Sequence, residues 1–328
     1  MGKILKGYFT LGLIGMLMGG CGGSGGDNTP QSYAISGTVT SSGTGLEGVT
    51  MLLSGTATAS KVSDANGRYA FSGLRAGKYT ITPVMQGYAD RPWATTQTIN
   101  GADITNVNFT AFPCSPIFHV VDNQGRFGTV NVETGEVHVI GTTRDETGPI
   151  VMTDIAFGAN GDLYGISAHK LYRIDPATAA VTSIGLHNLS YATSLVFSND
   201  GAETYTAANT LLAIDTASAK TTLIGSGNDP YYSSGDLTFI GGVLYLTSKT
   251  SDNPVEDYLV KLDTVKGKGT VVGPIGYPNV FGTGTNDNVR LYGFSGTKVI
   301  SINITTGAGS MIFDIAGKGL GNINGAAY

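Results

Sequence analysis

One phrase recurs five times between Phe118 and Tyr328: an apolar strand, a turn, a strand ending in Asp or Asn, a short Thr/Gly turn, and a strand ending in Gly. The clearest copy, Thr153 to Gly185, reads TDIAFGANGDLYGISAHKLYRIDPATAAVTSIG. Its anchors are Asn131, Asp175, Asp215, Asp263 and Asn303, spaced 44, 40, 48 and 40 residues apart. A four-strand unit of about 40 residues cannot bury both faces alone and must stack in a ring, which is the logic of a β-propeller blade. The first copy, Ile117 to Gly141, lacks an opening strand, whereas the chain ends on Asn324-Gly-Ala-Ala-Tyr328, which resembles the opening strand Thr153–Phe157. We expect an all-β chain in which residues 117–328 form a five-bladed β-propeller closed by the C-terminal strand.

Composition agrees with strands and turns: 13% of the residues are charged and 49 are glycine. Residues 1–20 read as a signal, with Lys3 and Lys6 before a short apolar run, Leu11 to Met18. Leu17-Met-Gly-Gly-Cys21 resembles the lipobox of bacterial lipoproteins. That resemblance implies acylation at Cys21, and Gly22 after the cysteine implies sorting to the outer membrane of a Gram-negative cell. The alternatives are an ordinary secretory signal or a short membrane helix, for which the apolar run is short. Residues 21–32, rich in Gly, read as a flexible tether. Removing residues 1–20 takes two of the 19 basic residues and leaves 17 against 24 acidic ones, a net charge of −7. With no basic stripe, nucleic acid is not an expected partner. With Cys21 lipidated, Cys114 has no partner in the chain and is expected to be buried at the joint 113–116.

Residues 33–112 alternate as about seven strands, with Asp64-Ala-Asn-Gly67 giving the strongest hairpin signal. The order Ile35-Ser-Gly-Thr-Val, Gly48-Val-Thr-Met-Leu, Asp64-Ala-Asn-Gly-Arg-Tyr-Ala-Phe, Leu74-Arg-Ala-Gly-Lys-Tyr-Thr-Ile and Gly87-Tyr88 resembles the carboxypeptidase regulatory-like domain. The resemblance implies a small prealbumin-like β-sandwich that serves as a spacer without catalysis. Trp93 is the single tryptophan and is expected to cover the end of that sandwich. The repeats themselves resemble bacterial propellers of the YVTN and NHL type, carried by Leu171-Tyr-Arg-Ile-Asp-Pro-Ala-Thr178. That loose likeness implies a fold and no chemistry.

The loops joining one repeat to the next are irregular, as a variable surface on a rigid scaffold would be. They and the 249–257 insert supply the ligand-binding candidates His187, Asn188, Tyr191, Asp229, Tyr231, Tyr232, Tyr277 and Asn279. Aromatic rings mixed with amides suit a carbohydrate or peptide groove. The inner strands begin at Asp154, Ser194, Asp236, Gly282 and Gly325, so Asp154 and Asp236 could face each other across the axis as an inverting glycosidase requires. Strand-start Asp residues are equally ordinary capping groups. The histidines, His119, His138, His169 and His187, lack metal-ligand spacing, and no cofactor is expected. The expected function is noncatalytic: a membrane-anchored, monomeric binding or surface-organising lipoprotein, attached through Cys21, that recognises an envelope or extracellular protein or a polysaccharide. The alternative is a glycan-acting hydrolase or lyase that uses Asp154 and Asp236.

Overall fold

Strands account for all the regular structure of the computed structural model, which describes residues 31–226, 231–249 and 255–328. The leader, Cys21, the tether up to residue 30 and Asp229 lie outside those residues. Residues 32–328 make one compact unit.

Two sheets face each other in the N-terminal region. One joins Tyr33–Ser41 to Arg68–Leu74, Thr44–Gly45 and, in parallel, Phe109–Pro113, which in turn pairs Tyr88–Arg91. The other has the order Ala59–Val62, Thr50–Gly55, Gly77–Val84, Thr95–Ile99. The inward alternation of Ile35, Val39, Met51, Leu53, Tyr69, Phe71, Tyr79, Ile81 and Phe109 closes a core between them. One expectation changes here. Asn66-Gly67 does make a tight turn, with the Asp64 carboxylate accepting the Asn66 and Arg68 N–H groups at 2.9 and 2.8 Å. It joins no hairpin, however, because the strands it connects belong to opposite sheets. Residues 104–110 are extended only at a bridge from Ile104 and from Phe109 onward, since Asn106 turns left-handed at φ 63°.

Between residues 117 and 327 the chain makes five four-stranded antiparallel sheets in succession. The first is the expected composite: Ile323–Ala327 pairs antiparallel with Ile117–Asp122, aligning Gly325 with Val121. The second runs Asp154–Phe157, Leu163–Ile166, Lys170–Ile174 and Val181–Leu186, within one residue of the strands read from sequence. The inner strands of the third, fourth and fifth sheets are Val196–Phe197, Tyr232–Ile240 and Val280–Gly284. Inner strands touch in the order first, second, third, fourth, fifth and back to the first. Arg144–Asp145 and Gly148–Pro149 form a small hairpin between sheets, so the 144–152 stretch hides no further repeat.

Each pair of neighbouring sheets shares a core. Ile166 and Leu171 of the second meet Leu195 and Ile214 of the third, while Phe118 and Val120 of the first meet Phe294 and Val299 of the fifth. A single repeat would leave these faces uncovered. The anchors are turn chemistry. The side-chain oxygens of Asn131, Asp175, Asp215, Asp263 and Asn303 accept the backbone N–H two residues on at 2.8–2.9 Å.

Candidate functional site

The inner edge of each sheet faces the axis of the ring, so its free backbone groups must find partners there. Two side chains supply four of them. One Asp154 carboxyl oxygen accepts the Ile155 N–H at 2.7 Å and the other the Leu195 N–H at 2.6 Å. Asp236 repeats the pattern, accepting the Leu237 N–H at 2.6 Å and the Thr283 N–H at 2.7 Å. Each carboxyl thus bridges its own sheet to the next, second to third and fourth to fifth. Both are buried, and each influences the other's pKa.

Burial is the largest influence on both acids and favours their neutral forms. It pushes Asp236 up to about 7. Asp154 is raised further, because the Asp236 charge adds to desolvation. The pair therefore favours its protonated forms to higher pH than ordinary carboxyls do. Only glycine fits opposite them: a Cβ on Gly325 would stand 2.5 Å from the Asp154 Cα. An inverting glycosidase needs its carboxyls about 6.5–9.5 Å apart to admit water. Here both carboxyls are buried and tied to strand N–H groups, so the axis is plugged at this level.

The plug separates two spaces. The smaller, about 80 Å³, lies on the side of the irregular loops and is lined by Tyr191, Thr193, Ser234 and Phe281 among others. The larger, about 410 Å³, lies beyond the other ends of the inner strands. Its walls carry Phe157, Phe197, Phe239 and Tyr328 from the ring and Trp93 from the N-terminal region. The four ring residues are equivalent, each three positions after Asp154, Ser194, Asp236 or Gly325, and Thr285 holds the fifth place. The sequence reading stopped at the strand starts and missed this cavity. Reading three residues further along each repeat would have found it.

Each of these rings is braced from behind. His119 meets Phe157 at 5.2 Å, Tyr164 meets Phe197 at 5.2 Å, Tyr205 meets Phe239 at 5.9 Å, and Phe118 meets Tyr328 at 5.5 Å. Aromatic pairs at such separations are held in offset or edge-on geometries, so the walls are preformed.

The ligand candidates of the irregular loops do not converge. Tyr231 is only 4% exposed, with its hydroxyl donating to the Gly267 carbonyl at 3.2 Å, so it seals the core instead of facing solvent. His187 is likewise buried, its Nε2 3.1 Å from the Ser167 carbonyl, and desolvation lowers its pKa. Asn188 is exposed and accepts from Thr221, while Asn279 accepts from Lys249 Nζ at 3.1 Å. Tyr277 is half-buried against the core between the fourth and fifth sheets. Tyr191 and Tyr232 remain about half exposed. Cys114 is half-buried, not buried, with its thiol near Arg290 and raised in pKa by desolvation. Trp93 departs from expectation most: its ring meets Tyr328 edge-on at 6.2 Å, over the mouth of the ring and not the end of its own sandwich. Among the described residues, no cluster of His, Cys, Asp and Glu could hold a metal.

Residues 34–112 match the carboxypeptidase regulatory-like domain family. The N-terminal region is a carboxypeptidase regulatory-like domain. Chitinase ChiA of Flavobacterium johnsoniae is 36% identical over 86 residues, which is 26% of this chain and 5% of that protein's length. Among solved structures, a nidogen/laminin complex overlays with a TM-score of 0.42 at 13% identity, covering 85% of this chain and 98% of the other. Virginiamycin B lyase from Staphylococcus aureus gives 0.35 at 13% identity, covering 62% and 72%.

The regulatory-like domain is pinned over the large cavity by polar contacts to the turns of the ring. Ala94 N–H donates to the Asn199 carbonyl at 2.9 Å, and the Thr96 hydroxyl donates to Asp200 at 2.5 Å. On the far side, Asn286 donates to the Ser115 carbonyl at 3.0 Å, and Asn288 to the Pro83 carbonyl at 3.4 Å. Asp200→Ala removes the acceptor beside Trp93 and should speed exchange of the Ala94 amide about tenfold, leaving core amides such as Ile81 unchanged. Hydrogen-exchange mass spectrometry checks this; equal protection in both proteins would show that the contact carries no docking energy.

Proposed function

We propose that residues 117–328 form a closed five-bladed β-propeller, that residues 33–112 form a prealbumin-like sandwich docked on it, and that the whole is a noncatalytic binding lipoprotein. In this reading Cys21 carries the lipid and holds the protein at the bacterial cell envelope. A protein or polysaccharide of the envelope or the surroundings is the partner. The observation that carries the noncatalytic reading is the axial pair, whose oxygens each accept a strand N–H. Carboxyls engaged in this way are buried and held in place by the inner strands, which suits a brace better than an acid and base that must move protons to a substrate. The preformed aromatic cavity, with the regulatory-like domain over it, supports binding in place of chemistry.

The test is to present the full chain, solubilised in detergent, to a glycan array and to measure binding and reducing-end release together. Binding without release is expected. Release that disappears in a folded Asp154→Asn or Asp236→Asn protein would sink the noncatalytic reading.

A further inference from the structure

The large axial cavity has a chemistry more specific than aromatic. Among the described residues that line it, none is Lys, Arg or His, and Asp200 is the one carboxylate. That carboxylate is already engaged, accepting from Thr96 at 2.5 Å, from the Ser198 hydroxyl at 2.7 Å and from the Ala202 N–H at 3.2 Å. An anionic ligand would meet no counter-charge, and a cationic one would meet a charge whose bonds are already made. The hydroxyls are engaged too. Thr238 and Thr283 bond each other at 2.6 Å, and both are buried. A sugar entering here would surrender its hydrogen bonds to water and find few in return. Apart from the Asn199 amide nitrogen, a buried donor without a partner, what the cavity offers freely is area: four ring aromatics, Trp93, and the floor formed by Ile155, Leu195 and Leu237.

A volume of about 410 Å³ lies within the range of small-molecule sites, roughly 300–1,000 Å³. The braced rings and the docked regulatory-like domain lower the ordering cost of binding. Resting on the binding reading above, we infer that this cavity is a site for an uncharged, flat aromatic or alicyclic small molecule, sandwiched between the phenyl rings of the propeller and the Trp93 indole.

The protein reports on the site itself, because Trp93 is its single tryptophan. The compact unit 32–328 is titrated with N-phenyl-1-naphthylamine, an uncharged aromatic probe, and separately with chitohexaose, an uncharged glycan, while Trp93 emission is followed. The expected result is saturable, one-to-one binding of the naphthylamine with energy transfer from Trp93, and no response to chitohexaose. Phe157→Ala and Phe239→Ala should each weaken the probe about tenfold, the effect of losing one aromatic contact. Saturable quenching by chitohexaose without naphthylamine binding would overturn the ligand class and leave the binding reading standing. No change of Trp93 with either probe would overturn the assignment of this cavity and leave the binding reading to its own test. Naphthylamine binding that persists unchanged in both folded phenylalanine variants would place the ligand elsewhere. Should a variant fail to fold, wild-type stoichiometry and energy transfer still decide the assignment.

Discussion

Asp236→Ala is expected to destabilise the protein by about 2–6 kcal/mol, because it orphans two buried N–H groups at about 1–3 kcal/mol each. Those groups belong to Leu237 and Thr283, on adjoining inner strands, so the loss falls where the fourth and fifth sheets meet. Asp236→Asn, which keeps one acceptor, should lose less. Urea unfolding measures both. A value near zero for the alanine variant would mean that water satisfies the inner edge as well as the carboxyl does.

The same pair imposes a pH dependence whose sign is fixed. Asp236 in the folded protein titrates at about 7, against an ordinary value of 3.8, and Asp154 is raised as well. Between those limits the native pair binds more protons than the unfolded chain, so its contribution is fullest below about pH 4 and is lost as the pH rises through about 7. Half-buried His119 and buried His187 act in the opposite sense, being held neutral by desolvation and losing stability on acidification. The informative quantity is therefore the wild-type stability minus that of Asp236→Asn, which should decline from acid to neutral pH.

Deleting residues 323–328 should have the largest effect of all. It strips the inner strand from the first sheet, exposing the backbone edge of Ile117–Asp122 and the cores on both sides of it. Ile323, Ala326 and Ala327 are at most 5% exposed, and Tyr328 closes one wall of the cavity. Because the ring stacks through every neighbour, the loss should remove most of the roughly 5–15 kcal/mol that stabilises a domain and abolish cooperative melting of residues 117–328. The regulatory-like domain has a separate core and should keep its own transition. Circular dichroism resolves the two. A single transition within a few degrees of wild type would show that the C-terminal strand does not close the ring.

Much of this architecture was legible because repetition amplifies weak signals. One Asp-Pro-Ala-Thr turn says little, but five equivalent anchors fix the third strand of every sheet, and Asn324–Tyr328 could be matched to Thr153–Phe157 by the same rule. The N-terminal region has no repeat, and there local signals misled: Asn66-Gly67 marks a turn, but nothing nearby says that it crosses between sheets. The site was half legible. Asp154 and Asp236 were placed at the axis by alignment, yet their role depends on backbone N–H groups of the neighbouring strands, which no sequence pattern encodes. Trp93 and the cavity depend on how two domains dock, through Asn199, Asp200, Asn286 and Asn288, residues that read in sequence as plain turn formers.

The central claim is that the axial carboxyls are a structural staple that stays protonated where ordinary carboxyls do not. Infrared difference spectroscopy at about pH 6, where ordinary carboxyl groups are ionised, reads that protonation directly. The structure predicts a carbonyl stretch from a protonated, buried carboxylic acid, present in the wild type and absent when both acids are replaced, in Asp154→Asn/Asp236→Asn. A spectrum with carboxylate bands alone would mean that both acids are charged and solvated, and the axis would be open to water and to chemistry after all.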